Sequence, residues 1–195
     1  MADLLRLFVS IGPDLELERE YIGQAVARLP GSLAWQITYT PAPGEPRLPD
    51  PQPLQGSAFY LIILGRDITA PMGWELLSAR RAGKQPLAFA KDVTRTLAAM
   101  DFASRSELAW TEYQEAGELL HLVQEALAKA LVAEPARYGL GMAEWQLLSK
   151  RLEELKAAGN HEAAADRSGG AGKGAVILSP DQAASSGGGV LVGKR

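Results

Sequence analysis

The chain has 195 residues, 47% of them hydrophobic and 22% charged, a soluble globular make-up sufficient for one core plus an appendage. Its net charge of −3 and the absence of clustered Lys and Arg exclude the electrostatic footprint of a nucleic-acid binder. With no cysteine there are no disulfides, thiolate nucleophiles or Cys-based zinc sites, and a reducing, cytoplasmic setting is expected.

Leu4–Ser10 is the first strand candidate; the acidic Asp3 and the stop at Gly12-Pro13-Asp14 argue against a signal peptide. Asp14 stands where an N-cap belongs, ahead of Leu15, Ile22, Val26 and Leu29 at helical spacing, until Pro30-Gly31 ends the helix. Ala34–Tyr39, rich in aromatic and β-branched residues, makes a second strand. Six prolines between Pro41 and Pro53 then argue against a regular helix, so this crossover is expected to be mostly extended loop.

Ala58–Leu64 is a continuous apolar run closed by Gly65, as a buried parallel strand would be. Pro71–Ala82 follows as a helix, ended by Gly83 with Pro86 just beyond, and Arg80, Arg81 and Lys84 suit its C-terminal dipole. Pro86–Ala90 is a fourth strand and Glu107–Trp110 a short fifth. Tyr113–Leu131 is a long amphipathic helix with Leu119, Leu120, Val123, Leu127 and Leu131 on one face.

After Pro135 and Gly139-Leu-Gly141 comes a further helix, Ala143–Ala158, whose Trp145, Leu148, Leu152 and Leu155 form a narrow seam. Such a seam packs on its own domain or pairs with another chain; two heptads fall short of a coiled coil and favour packing. From Gly159 the composition turns to Gly, Ala and Ser around the apolar scraps Ala175–Leu178 and Val190–Val192, and a flexible tail is expected. The organisation is thus an α/β domain over 1–132, a helical extension over 133–158 and a tail over 159–195. No run approaches the about 18 apolar residues of a membrane span.

Several kinds of chemistry are disfavoured. Gly169–Gly174 lacks the first glycine, the hydroxyl and the preceding strand of a phosphate loop. The only histidines, His121 and His161, do not form a metal cluster, and no Gly-x-Ser-x-Gly elbow is present. One glycine in Ser10-Ile-Gly-Pro-Asp14 cannot serve as a dinucleotide fingerprint, and Glu16, Glu18 and Glu20 behind it would repel a phosphate.

A carboxylate site is left. Open α/β sheets bind ligands beyond the carboxyl ends of their strands, and there Ser10, Gly12, Asp14, Gly65 and Asp67 would meet Glu75 if strands one and three are neighbours. A carboxylate at position 75 could attack or stabilise an oxocarbenium-like sugar centre, as cleavage of an N-glycosidic bond requires. A pyridinium leaves neutral and needs no proton, whereas a purine or pyrimidine needs an acid, for which Asp67 is the nearest applicant. Against this stand bland roles: Glu75 in a first helical turn for the dipole, Asp14 as a cap, Trp74 as packing rather than as a base-stacking rim aromatic.

Leu7–Ser10 with Asp14–Glu20, Phe59–Leu64, Trp74-Glu75, Ala79 and Gly83–Pro86 together resemble the TIR-like and nucleoside 2-deoxyribosyltransferase-like superfamily, nearest its bacterial signalling and defence branch. The resemblance covers Leu4 to Leu131. It implies a flavodoxin-like sheet of order 2-1-3-4-5 with a rim pocket, and in enzymatic members a catalytic glutamate at the position matched by Glu75. It implies no resident cofactor, NAD entering as substrate or ligand. Trp74 adjoins the glutamate instead of preceding it by several residues, and Thr69 is the nearest hydroxyl where a serine is common; both departures shift weight to a binding or scaffold role. The expected protein is a signalling or defence module acting through a protein partner or self-association, with nucleotide or nucleoside sensing; the alternative is an N-glycosidic bond hydrolase or transferase using Glu75 and Asp67.

Overall fold

The computed structural model describes residues 4–30, 33–42, 45 and 50–169, with side chains described as far as Ala157. Residues through Ala157 form one compact unit, and those from Ala158 onward a second. The first unit holds five parallel strands: β1 (Leu5–Ile11), β2 (Trp35–Tyr39), β3 (Phe59–Leu64), β4 (Pro86–Lys91) and β5 (Thr111–Tyr113), in the order 2-1-3-4-5. This is the flavodoxin-like arrangement expected. Every residue of β3 is buried, as its unbroken apolar run requires of a central strand covered on both faces.

Helices cover both faces. Leu5, Leu7, Val9 and Ile11 of β1 and Phe59, Leu61 and Ile63 of β3 pack against α1 (Glu16–Ala27) and α5 (Ala116–Ala133). On the other face Phe8, Tyr60, Ile62 and Ala88 meet Leu54 of α2 (Pro51–Gln55) and Met72, Leu76 and Ala79 of α3 (Ala70–Arg81). Parallel pairing sets Ser10 beside Ile62 and Ile11 beside Ile63, so the ends of β1 and β3 adjoin. Gly83, at φ 69°, turns the chain out of α3 where a Cβ would be strained.

Four expectations are corrected. The proline-rich crossover contains α2: Asp50 caps it by accepting from the Gln52 amide at 2.9 Å, and a proline in a first turn forfeits no intrahelical bond. A helix absent from the sequence reading, α4 (Leu97–Arg105), follows β4 and is capped by Thr96, whose hydroxyl accepts from the Ala99 amide at 3.2 Å. The fifth strand is Thr111–Tyr113 rather than Glu107–Trp110, because Glu107 takes φ 52° and Leu108 and Trp110 turn to pack against the α3 face. Asp14 does not cap α1; Leu15 holds the cap position with no side-chain hydrogen bond, and the Asp14 carboxylate reaches across to β3 instead.

A 3-10 turn (Pro135–Tyr138) leads to α6 (Met142–Gly169), which runs past the expected end at Ala158. In its first half most of the seam is covered within the unit: Leu148, Leu152 and Leu155 are buried, while Trp145 is 37% exposed, its indole donating to the Val132 carbonyl at 3.3 Å. The rest of the expected tail, with its two apolar scraps, and all but Gly169 of the phosphate-loop-like segment lie outside the described residues. No described helix is long and apolar enough to cross a membrane.

Candidate functional site: a buried glutamate beneath a cavity

Glu75, on the second turn of α3, points back at the sheet and is 3% exposed. Two hydroxyls converge on its Oε2: Ser10, from β1, donates a short hydrogen bond, and Thr40, just past β2, donates at 2.8 Å. Val9 pairs with Tyr39, so the next residues, Ser10 and Thr40, come side by side at the strand ends. The Thr40 oxygen also accepts from the Ile11 amide at 3.1 Å, and of the two acceptors within reach of its single proton the Glu75 carboxylate at 2.8 Å is nearer than the Val9 carbonyl at 3.4 Å. Burial pushes the Glu75 carboxyl above its ordinary value, while Ser10, Thr40 and the charge of Arg19 pull it down.

Glu75 lines a cavity of about 380 Å³ whose walls come from β1, β2, the crossover and the start of α3. Phe8, Tyr39 and Trp74 give it apolar walls, with Trp74 37% exposed at the mouth. Arg19 lies over the Tyr39 ring, 5.3 Å from its centroid, and donates to the Thr40 carbonyl at 3.4 Å. Tyr39 answers by donating to the Arg19 carbonyl at 3.1 Å. The Thr69 hydroxyl, also in the lining, is buried with no hydrogen-bond partner among the described residues. An apolar cleft with a few convergent polar groups is the ordinary form of a small-molecule site.

Of the residues expected at the site, Glu75 and Trp74 line this cavity and Ser10 holds Glu75. Gly12, Asp14 and Gly65 instead form a clamp between the β1 and β3 loops. The Asp14 carboxylate accepts from the Arg66 amide at 2.8 Å. A Cβ on Gly12 would stand 2.6 Å from Asp14 Oδ1, and one on Gly65 would collide with Asp14 Oδ2, so both glycines make room for that side chain. Asp67 does not line the cavity. It accepts from the Thr96 hydroxyl at 2.6 Å and from the Ile68 amide, contacts that hold its exposed carboxyl below the ordinary value. It is therefore an ionised loop tether at neutral pH and a poor proton donor.

Thr40, Arg19 and Tyr39 escaped the sequence reading. Thr40 becomes a neighbour only through the β1/β2 register of the folded sheet, while Arg19 stands in the sequence as the one base among Glu16, Glu18 and Glu20. Glu18 does not weigh on the cavity as expected: it is 2% exposed and paired with Lys91 of β4 at 2.7 Å. Among the described residues no three His, Cys, Asp or Glu side chains are grouped to hold a metal. Neither a protein-family model nor a curated protein matches this chain.

Proposed function

We propose that this chain is a TIR-like signalling or defence module whose cavity over Glu75 binds a nucleotide or nucleoside. The observation carrying this reading is a carboxyl buried at the foot of an aromatic-walled cavity and held there by two hydroxyls from different strands. Holding a carboxyl out of water costs stability unless it is fully hydrogen-bonded, and a helix has no structural need to turn one inward. A ribose supplies hydroxyls for the carboxylate, and Trp74 and Tyr39 offer faces to a base.

Cleavage of an N-glycosidic bond is the second reading, favoured by the convergence of both hydroxyls on Oε2. That arrangement holds Oε2 and leaves Oε1 without either of these two hydroxyls, available to a sugar bound in the cavity. Attack at the anomeric carbon, or stabilisation of its cation, breaks the bond to nitrogen; the base leaves with the bonding electron pair, and water or an acceptor hydroxyl takes the glycosyl group. With Asp67 ionised and outside the cavity, a pyridinium leaving group, as in NAD, suits the site better than a purine.

Calorimetry with NAD, nicotinamide riboside and adenosine, beside chromatography of the same mixtures, tests both readings. Binding that weakens about 10-fold or more in Glu75→Gln supports the sensor, and free base released by wild type alone supports the enzyme. No heat and no product with any of them removes the nucleotide reading.

A further inference from the structure

Two helices begin at the cavity, and proteins commonly hold phosphate at such N-termini, where free amides meet the positive end of the dipole. Here both starts are closed to an anion. In α2 Pro51 and Pro53 have no amide proton, and the Gln52 amide between them is taken by the Asp50 carboxylate at 2.9 Å. In α3 Pro71 removes another donor, and the Met72 amide is given to the Thr69 carbonyl at 3.1 Å. Asp50, Pro53, Thr69 and Pro71 all line the cavity, so these closures face whatever enters it.

The charges of the lining point the same way. Among the described residues Glu45, Asp50 and Glu75 stand against one base, Arg19. Arg47, the one base in the sequence between Glu45 and Asp50, lies outside the described residues, and counting it still leaves the acids in excess. Arg19 is itself engaged: its Nη2 donates to the Ile11 and Thr40 carbonyls at 3.5 and 3.4 Å, and its guanidinium lies over the Tyr39 ring. A phosphate is ordinarily met by an Arg fork turned toward it. A cationic ring is met by carboxylates and an aromatic face, which Glu75 and the half-exposed Trp74 supply. The volume, about 380 Å³, lies near the lower end of ligand sites and suits a nucleoside better than a dinucleotide. We infer that the cavity selects a phosphate-free nucleoside whose base carries positive charge, and turns away the 5′-phosphorylated form of the same nucleoside. This rests on the nucleoside reading of the Glu75 site and names the ligand class within it.

Calorimetry of the full chain with nicotinamide riboside, its 5′-mononucleotide, the reduced and uncharged riboside, and adenosine tests each part. At about 50 mM salt the riboside is expected to bind about 10-fold more tightly than the mononucleotide and about 3-fold more tightly than its reduced form. Raising the salt to about 500 mM should narrow the first gap by screening the repulsion. The double variant Glu45→Gln/Asp50→Asn, in which asparagine keeps the α2 cap, should narrow it by strengthening the mononucleotide. A mononucleotide that binds as tightly as the riboside overturns the exclusion of phosphate, and a reduced riboside that does so overturns the preference for a cation. A gap that salt closes and the double variant leaves intact overturns the role of Glu45 and Asp50. If that variant does not fold, the salt dependence decides, and a gap indifferent to salt overturns the electrostatic exclusion. Binding of adenosine alone sinks this inference and spares the nucleoside reading, whereas silence with all four ligands removes both.

Discussion

Glu75 shows what burying a single carboxyl does to the pH dependence of a fold. Burial raises its carboxyl pKa in the folded chain above that in the unfolded chain, so the folded state holds the proton more tightly. Its contribution to stability is complete below the ordinary glutamate pKa and is lost as pH rises through the raised value. Glutamine at this position carries no such slope, and the remaining carboxylates titrate alike in both proteins. Urea unfolding of wild type and Glu75→Gln from about pH 4 to 8 should therefore show the variant gaining on wild type as pH rises. A difference that stays flat, or that moves toward wild type, would mean the carboxyl is not desolvated as its burial implies. The residue itself was legible in the sequence, since a charged side chain early in a helix after a buried strand stands at the rim of the sheet. Its hydroxyl partner Thr40 was not, because it follows a different strand and becomes a neighbour only through the β1/β2 register.

At the scale of elements, the strand-to-helix loops reveal what local patterns miss. Asp14 has the right type and place for a helix cap, and nothing local distinguishes a cap from a tether to the Arg66 amide 52 positions away. The same competition explains β5. Leu108 and Trp110 carry the apolar signal of a strand but pack against the α3 face, while the actual strand exposes Thr111 and Glu112 and buries only Tyr113. The continuous run of β3 had no such rival, and its neighbours fell into place around it. The clamp makes a separable prediction. Gly65→Ala forces a Cβ against Asp14 and within 3.0 Å of Leu15 Cγ, and should destabilise by about 1–3 kcal/mol, the usual cost of overpacking. In an Asp14→Ala background the penalty should shrink by about 1 kcal/mol, leaving the part due to Leu15. Equal penalties in both backgrounds, measured by chemical unfolding, would separate the glycine from the carboxylate.

For the molecule as a whole, the open question in the sequence was whether the seam of α6 belongs to this fold or to a second chain. The answer lies in which side chains are consumed. Leu148 and Leu152 join the same core as β1, β3 and α5, and Arg151 donates to Gln124 of α5 at 3.3 Å, while Gln124 in turn donates to the Ala25 carbonyl of α1 at 3.1 Å. With its three leucines buried, the seam leaves Trp145 alone of its four residues exposed to offer a partner. Periodicity alone could not decide this, because a narrow stripe reads the same against either surface. Leu148→Ala should cost about 2–5 kcal/mol, as for any fully buried leucine. A pairing seam would instead lose association: the unfolding midpoint would depend on protein concentration in wild type, and the substitution would act mainly by removing that dependence. Urea unfolding at two concentrations a hundredfold apart, with sedimentation of both proteins, distinguishes the outcomes. A lowered midpoint in Leu148→Ala at both concentrations, with unchanged sedimentation, makes the first half of α6 part of the domain that carries Glu75. An unchanged midpoint with altered sedimentation would return the seam to a partner chain.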